Sequence, residues 1–464
     1  MEDAGQNRRI LHRRGKNGVT RIRTSRDAAL EVLKRVEINS SYADLALEKI
    51  LKSSTLDARD IRLATELTFG CIRWQKKIDY MLDAFLRTKV DRLDPYTRNI
   101  LRLGAYQLFF LERIPDYAAI SEAVKQSKRF GTRGSSSLVN GVLRSIRERA
   151  SEILYPSPEE KPVEYLSLFY SHPEWIVRRW LARYGFEETR SLCEADNSVP
   201  QLSIRANLTR VSREELVKRL EQDGVTASPG KYSDSSLSIT AKGSITSLDS
   251  HREGFFQVQD ESATLVSTLL DPRPGETVVD LCAGPGGKAT NIAELMMNRG
   301  TVVAVDVRPV RLKFVLDNAR RLGLNILFGV VGDGRVFHAR NIDRAIVDAP
   351  CSGLGVLRRR ADLRWRMNEE EIENLSELQL ALLLNIAHSI RPGGVLVYST
   401  CTLEPEENEQ VVSRFLELRD DFRVENAGAF VDRSLVDKNG FFRSFPHRDG
   451  IDGAFATRLV KMMR

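Results

Sequence analysis

From Val278 to Asp306 the chain alternates in a way that few folds accept. Val278-Val279-Asp280-Leu281 reads as a buried strand from its apolar run. Cys282-Ala283-Gly284-Pro285-Gly286-Gly287-Lys288 is a glycine-rich turn, Ala289–Asn298 reads as a helix, and Thr301-Val302-Val303-Ala304-Val305-Asp306 is a second strand ending in an acid. Strand, tight turn, helix and parallel strand make a βαβ unit of a doubly wound sheet. Glycines in such a turn let backbone approach a ligand, and an acid ending the second strand can hold both hydroxyls of a ribose. Gly284, Gly286 and Ala289 also fit the dinucleotide spacing, whereas Cys282 stands where a P-loop requires glycine. Asp280, just before the turn, suits a cationic or amino-bearing ligand, and no nicotinamide-type acid–base set is evident downstream.

Three more strand ends carry chemistry. Val330-Val331-Gly332-Asp333 ends in an acid suited to an adenine amino group. Ala345-Ile346-Val347-Asp348 leads into Ala349-Pro350-Cys351-Ser352-Gly353. Gly394-Val395-Leu396-Val397-Tyr398 follows a turn signal, Arg391-Pro392-Gly393, and leads into Ser399-Thr400-Cys401-Thr402. Glu404-Pro405-Glu406-Glu407-Asn408-Glu409 reads as the first turn of a helix. Open α/β sheets place ligands at the carboxyl ends of their strands. If the two thiol-bearing strands are neighbours, they lie about 4.8 Å apart and both thiols face one crevice. A single cysteine is usually a small buried hydrophobe. Two in matching positions beside an acid make a chemical set. After the first of them come Arg358, Arg359, Arg360, Arg364 and Arg366 with Trp365, a mixture that suits phosphate contact and base stacking on a nucleic acid.

The five cysteines are scattered, odd in number and free of C-x-x-C spacing, so neither a disulfide framework nor a metal site is expected. A net charge of +7 leans toward a polyanionic partner. No apolar run reaches membrane-spanning length and the start of the chain has no apolar signal core, so a cytoplasmic protein with no membrane association is expected.

The first half reads differently. Residues 1–24 form a basic tail, read as solvated disorder giving weak electrostatic help to binding. Residues 25–150 carry helical periodicity and no strand signal, with Leu101–Phe110 as a central buried helix, Ile114-Pro115-Asp116 as a turn and Gly131 as a stop. Residues 151–196 form a proline-bearing linker and helices, where the aromatic and basic mixture around Trp175, Arg178, Arg179 and Trp180 is read as packing. In 197–250, Gln201–Asn207 and Leu237–Thr240 read as strands, and Ser212 with Glu215 as a capping box, which together outline a small α+β module.

Ile100–Leu108, Ile114-Pro115 and Leu138-Val139-Asn140-Gly141-Val142-Leu143-Arg144 resemble the NusB-like RNA-binding helical domain. Asp280–Lys288, Asp348-Ala-Pro-Cys-Ser-Gly353, Ser399–Glu409 and the closing Phe445–Phe455 resemble the S-adenosylmethionine-dependent RNA cytosine-5 methyltransferases. Together these resemble the RsmB (Sun/Fmu) family of small-subunit ribosomal RNA methyltransferases, over nearly everything after residue 24. The resemblance implies a multidomain chain. It would carry an all-α NusB-like bundle, a small α+β (RRM-like) module and, over 251–464, a Rossmann-like methyltransferase domain.

The resemblance implies S-adenosylmethionine as cofactor, held by Cys282 to Lys288 with Asp306, Asp333 and Asp348, and 16S ribosomal RNA as substrate; separately, a monomer is expected. It assigns Cys401 to attack on C6 of cytosine, Cys351 to product release and Asp348 to the base edge. Two departures from the family's pattern lie in the cofactor loop, Gly284 for alanine and Ala289 for threonine, and neither removes a backbone donor. A third is Ala361, where the family tends to have proline, which is expected to loosen the substrate loop. Transfer RNA as substrate, a non-catalytic assembly factor and a dehydrogenase remain the alternatives.

Overall fold

The computed structural model describes residues 22–39, 41–241 and 243–463. The basic tail therefore lies outside the described residues except for its last three. The chain forms two compact units, Met1–Leu154 and Tyr155–Arg464.

The first unit is helical throughout its described residues, as the periodicity predicts. Its helices are α1 (Ser25–Asn39), α2 (Ala43–Lys52), α3 (Ala58–Arg73), α4 (Gln75–Asp83), α5 (Pro95–Phe110), α6 (Asp116–Phe130) and α7 (Ser135–Arg149). Helix α5 is the hub. Asp94 caps it by accepting from Thr97 N–H at 3.1 Å, Pro95 supplies its first turn, and Ile100, Leu101, Leu103 and Ala105 are wholly buried. Arg102 turns inward as well, gripping both carboxylate oxygens of Asp79 at 2.7 Å.

The second unit opens with α8 (Pro162–Phe169), α9 (Glu174–Tyr184) and α10 (Phe186–Asn197). Trp180 is buried, as the packing reading expects. A four-stranded antiparallel sheet follows, from β1 (Leu202–Ala206), β2 (Thr226–Pro229), β3 (Ser236–Thr240) and β4 (Phe256–Val258), in the order β2-β3-β1-β4. Helix α11 (Arg213–Gln222) carries the expected cap, Ser212 accepting from Glu215 N–H at 3.1 Å, and the short α12 (Asp249–Arg252) precedes β4.

The large sheet comprises β5 (Thr277–Asp280), β6 (Thr301–Asp306), β7 (Leu327–Val331), β8 (Ile342–Asp348), β9 (Ile390–Thr400), β10 (Phe422–Glu425), β11 (Phe442–Ser444) and β12 (Ala454–Lys461). Its order is β10-β12-β9-β8-β5-β6-β7, with β11 beside β12. Strands β5 to β9 are parallel and β12 joins β9 antiparallel. The chain leaves β5 toward β6 on one side and returns through β8 on the other, so the topological switch lies between β5 and β8. The helices are α13 (Glu261–Leu270), α14 (Gly287–Leu295), α15 (Pro309–Leu322), α16 (Leu363–Arg366), α17 (Glu369–Ala387), α18 (Glu409–Leu418) and α19 (Pro446–Asp449). Apolar residues from both sheet faces form two cores, one with α13–α15 and one with α17 and α18.

Two local expectations change. Arg391-Pro392-Gly393 is a bulge inside β9: Ile342 pairs with Ile390 but Arg344 with Val395. Helix α14 starts earlier and ends sooner than the apolar run predicts, because Met297 and Asn298 both adopt φ +53°.

The small module and the large sheet are pinned by buried polar groups. Arg205 of β1, fully buried, donates to Glu294 at 2.9 Å, to Gly287 O at 2.8 Å and to Gln259. Asn207 donates to Gly254 O and Leu322 O at 3.0 Å each.

Candidate active site

Strands β8 and β9 are adjacent and in register, Asp348 opposite Ser399, so the two thiol loops leave the sheet side by side. Cys351 Sγ lies 3.0 Å from Cys401 Sγ, and Cys401 N–H donates to Cys351 Sγ at 3.3 Å. The hydrogen bond to Cys401 raises the pKa of Cys351 most; burial and the Glu407 carboxylate add to the rise. Cys351 is thus held as a thiol.

Asp348 sits at the end of β8 with one oxygen accepting from Ser399 Oγ at 2.9 Å and the other 2.7 Å from Lys288 Nζ. Burial disfavours the Lys288 ammonium, but Asp348 and then Cys401 outweigh it, and the pKa of Lys288 is raised. The cofactor-loop lysine is therefore also a member of the thiol site. Sequence reasoning put it in the glycine loop alone, since its partner lies 60 residues away in the chain.

The glycine loop runs over the carboxyl end of β5 into α14. Gly286 caps α14 at φ +107°, where a side chain would be strained, and no side chain caps the first N–H groups of the helix. Gly284 donates its N–H to Asp306 at 3.0 Å, and a Cβ there would come within 2.5 Å of Asp306 Oδ2. The glycine that departs from the family's pattern thus lets Asp306 close on the loop. Asp306, also accepting from Arg308 N–H at 2.8 Å, is fixed at the end of β6. Asp333 lies two residues beyond β7, ion-paired with Arg335 at 2.6 Å. Cys282 and Ala283 line the first turn; burial, and after it the surrounding acids, raise the pKa of Cys282, so it stays a thiol. Pro285 follows Gly284 through a cis peptide.

Asp280 is buried, and neither carboxyl oxygen has a hydrogen-bond partner of good geometry among the described residues. Burial, then the neighbouring Asp348, push its pKa up to about 7, with Lys288 and the Cys282 backbone opposing only in part. An unpartnered carboxyl, a bare helix start and two fixed acids suit a ligand carrying an amine, a carboxylate and a ribose. That donor set fits S-adenosylmethionine.

The two charge runs behave unlike the sequence reading. The arginine run does not face out as an RNA strip. Arg358 and Arg359 grip Asp452 at 2.7 and 2.6 Å, Arg359 also holds Asp260 at 2.7 Å, and Arg364 is fully buried against Ser171 O, Asn197 and Asp196 O. Arg360, Trp365 and Arg366 are half-buried. These bonds anchor the segment on both sides of Ala361. The acidic run is not a plain helix start either, for a 3-10 turn, Pro405–Glu407, precedes α18. Glu404 and Glu406 hold Arg179 at 2.7 Å, and Glu404 accepts from Trp180 Nε1 at 3.1 Å.

Glu407, which sequence reasoning left unassigned, is fully buried between the thiol loops and accepts from Ser352 N–H at 2.8 Å and from Ser352 Oγ. No local signal marks it, since its partner is 55 residues away.

Adjacent strand ends with two thiols, an acid–lysine pair and a glycine loop define a Rossmann-like methyltransferase site. Comparison narrows this. The profile described as 16S rRNA methyltransferase RsmB/F matches residues 267–460, the NusB family 23–148, and a ferredoxin-like domain of RsmF/B-like methyltransferases 172–246. The chain is 38% identical to the probable ribosomal RNA small subunit methyltransferase B of Bacillus subtilis, over 94% of this chain and 98% of that one. Against the Synechocystis protein of the same description it is 36% identical, over 94% and 99%. The crystal structure of PH0851 superposes with a TM-score of 0.79 at 30% identity, over 94% of this chain and 98% of that one. The chain belongs to the ribosomal RNA small subunit methyltransferase B family.

Proposed function

We propose that the protein transfers a methyl group from S-adenosylmethionine to C5 of a cytosine in 16S ribosomal RNA, acting in the cytoplasm as a monomer and through a covalent adduct at C6. The observation that carries this reading is the 3.0 Å approach of Cys351 and Cys401 beside the Lys288–Asp348 pair. Family membership supports the methyl donor and the ribosomal RNA substrate. No helix among the described residues is long and apolar enough to cross a membrane.

C5 of cytosine is a poor nucleophile until a thiolate adds to C6. Cys401 is that nucleophile. Its sulfur bonds C6, and the ring electrons shift to make C5 electron-rich. Asp348 holds the amino edge of the flipped base, while the Lys288 ammonium offsets the negative charge that develops on the ring. S-adenosylmethionine, bound against residues 282–288, would supply an electrophilic methyl group. Asp306 would hold its ribose, Asp333 its adenine and Asp280 its amine.

Release needs the C5 proton removed and the C6–S electrons returned to Cys401. Cys351 first gives its own proton to solvent and then takes the C5 proton as a thiolate, while the C5–H electrons re-form the C5–C6 double bond. The hydrogen bond to Cys401 is the largest of the causes that keep Cys351 a thiol, and it is lost once the Cys401 sulfur is bonded to carbon. The release base is thus freed by the adduct it must resolve.

Methyl-labelled cofactor with unmodified 16S RNA tests the reading. Nucleoside mass spectrometry should find 5-methylcytidine in that RNA. Label on another atom, label only in transfer RNA, or no label at all would overturn it.

A further inference from the structure

Glu407 has no part in the steps above, yet it touches the thiol loops more directly than any other buried acid. It accepts from Ser352 N–H at 2.8 Å, from the Ser352 hydroxyl, and from Gln379 Nε2 at 3.0 Å. Ser352 follows Cys351 and Thr402 follows Cys401; their hydroxyls are 2.7 Å apart. Glu407, itself six residues past Cys401, therefore ties the Cys351 loop to the segment that follows Cys401, with Thr402 within hydrogen-bonding reach of the same carboxyl. Cys401 has anchors of its own. Gly355 donates its N–H to Cys401 O at 2.9 Å, and Asn408 bridges the Thr400 hydroxyl at 2.6 Å and Thr402 O at 3.1 Å. A buried carboxylate is costly to keep, and its acceptor geometry is what three converging donors require.

We propose that Glu407 is a positioning residue for the release step, setting Cys351 against the adduct while leaving the attack of Cys401 intact. This rests on the assignment of Cys351 to release. Removing the acceptor frees Ser352 and with it Cys351; Cys401 keeps its backbone and Asn408 contacts. The adduct then forms and is resolved slowly.

The test uses the full chain with labelled cofactor and 16S RNA, reading product and denaturant-stable protein–RNA adduct together. Glu407→Ala should turn over about 10²-fold more slowly, the scale of a displaced catalytic group, with adduct accumulating toward the level of Cys351→Ala and an unchanged KM for cofactor. Glu407→Gln keeps an acceptor for Ser352 N–H and should restore most of the turnover.

A second readout does not depend on catalysis. A diazene oxidant takes two electrons and two protons from the thiols, becoming a hydrazine as Cys351 and Cys401 form a disulfide, and that rate should fall about tenfold in Glu407→Ala if the sulfurs part. Should Glu407→Ala not fold, Ser352→Ala removes only the hydroxyl link and should show the same pattern more weakly. Slow turnover without adduct, or an unchanged disulfide rate, overturns the proposal. If Cys351→Ala itself accumulates no adduct, the release assignment fails instead, and the disulfide rate still judges Glu407.

Discussion

The Pro-Cys loop after β8 and the Thr-Cys loop after β9 begin alike and end unlike. Each leaves a buried parallel strand, carries one thiol near its start and trails a charge run, basic in one and acidic in the other. Their thiols touch, yet they meet different neighbours. Cys351 faces Cys401 and the Glu407 carboxylate and is held as a thiol. Cys401 lies within the field of the Lys288 ammonium. Equivalent positions on equivalent strands thus acquire different charged neighbours, from groups that neither loop supplies for itself. Both charge runs turn inward, as struts that fix the loops.

The cysteine substitutions break this comparison most sharply. Cys401→Ala should lower methylation by on the order of 10⁴-fold or more, as loss of a nucleophile does, with no adduct and unchanged cofactor affinity by calorimetry. Cys351→Ala should leave the adduct trapped on a denaturing gel. If the two phenotypes are exchanged, so are the roles.

Lys288 comes next. Lys288→Met should cost about 10²-fold in turnover, the lower part of the range for a lost proton-handling or charge-balancing group, while affinity for S-adenosylhomocysteine moves little. A large loss of affinity with normal single-turnover chemistry would return Lys288 to the cofactor loop and remove the asymmetry between the thiols.

Asp280 sharpens the cofactor side. Its folded pKa of about 7 lies above the ordinary carboxyl value, so the native state holds an extra proton between the two. Stability from this group therefore falls as pH rises toward and through 7, and binding an ammonium expels the proton. Cofactor affinity should rise from pH 6 to 8 in the native protein. In Asp280→Asn it should be flat and about tenfold weaker at pH 8, the scale of one lost charged hydrogen bond. Asp280→Asn should also melt higher than the native protein at pH 8. A parallel pH profile in both would show that Asp280 does not meet the amine.

The parts of this site legible in the sequence are those that local pattern dictates. The βαβ rhythm fixed Gly286 at a turn and Asp306 at a strand end, and the matching apolar runs put Cys351 and Cys401 at the same edge. Pairings between polar or charged side chains more than 50 residues apart were not legible. Lys288 with Asp348, Ser352 with Glu407 and Arg205 with Glu294 each join elements distant in sequence. A charged residue reads as exposed unless its partner is known. That prior misled at Arg358, Arg359 and Arg364, and it hid Glu407 inside an ordinary helix start.

Arg364 tests that last point with the smallest expected effect on RNA. Its guanidinium is wholly buried and donates to Ser171 O at 3.0 Å, Asn197 Oδ1 at 2.9 Å and Asp196 O at 3.2 Å. Arg364→Met fills similar volume and leaves those acceptors unmet, so it should cost about 3 kcal/mol of stability in denaturant unfolding. If Arg364 instead contacted a phosphate, its loss would reduce the slope of log affinity for RNA against log salt by about 0.7 to 0.9. A buried strut predicts no change in that slope for the folded variant. Destabilisation with an intact slope assigns the arginine to the loop it braces, while an intact melting curve with a reduced slope would turn the basic run outward again.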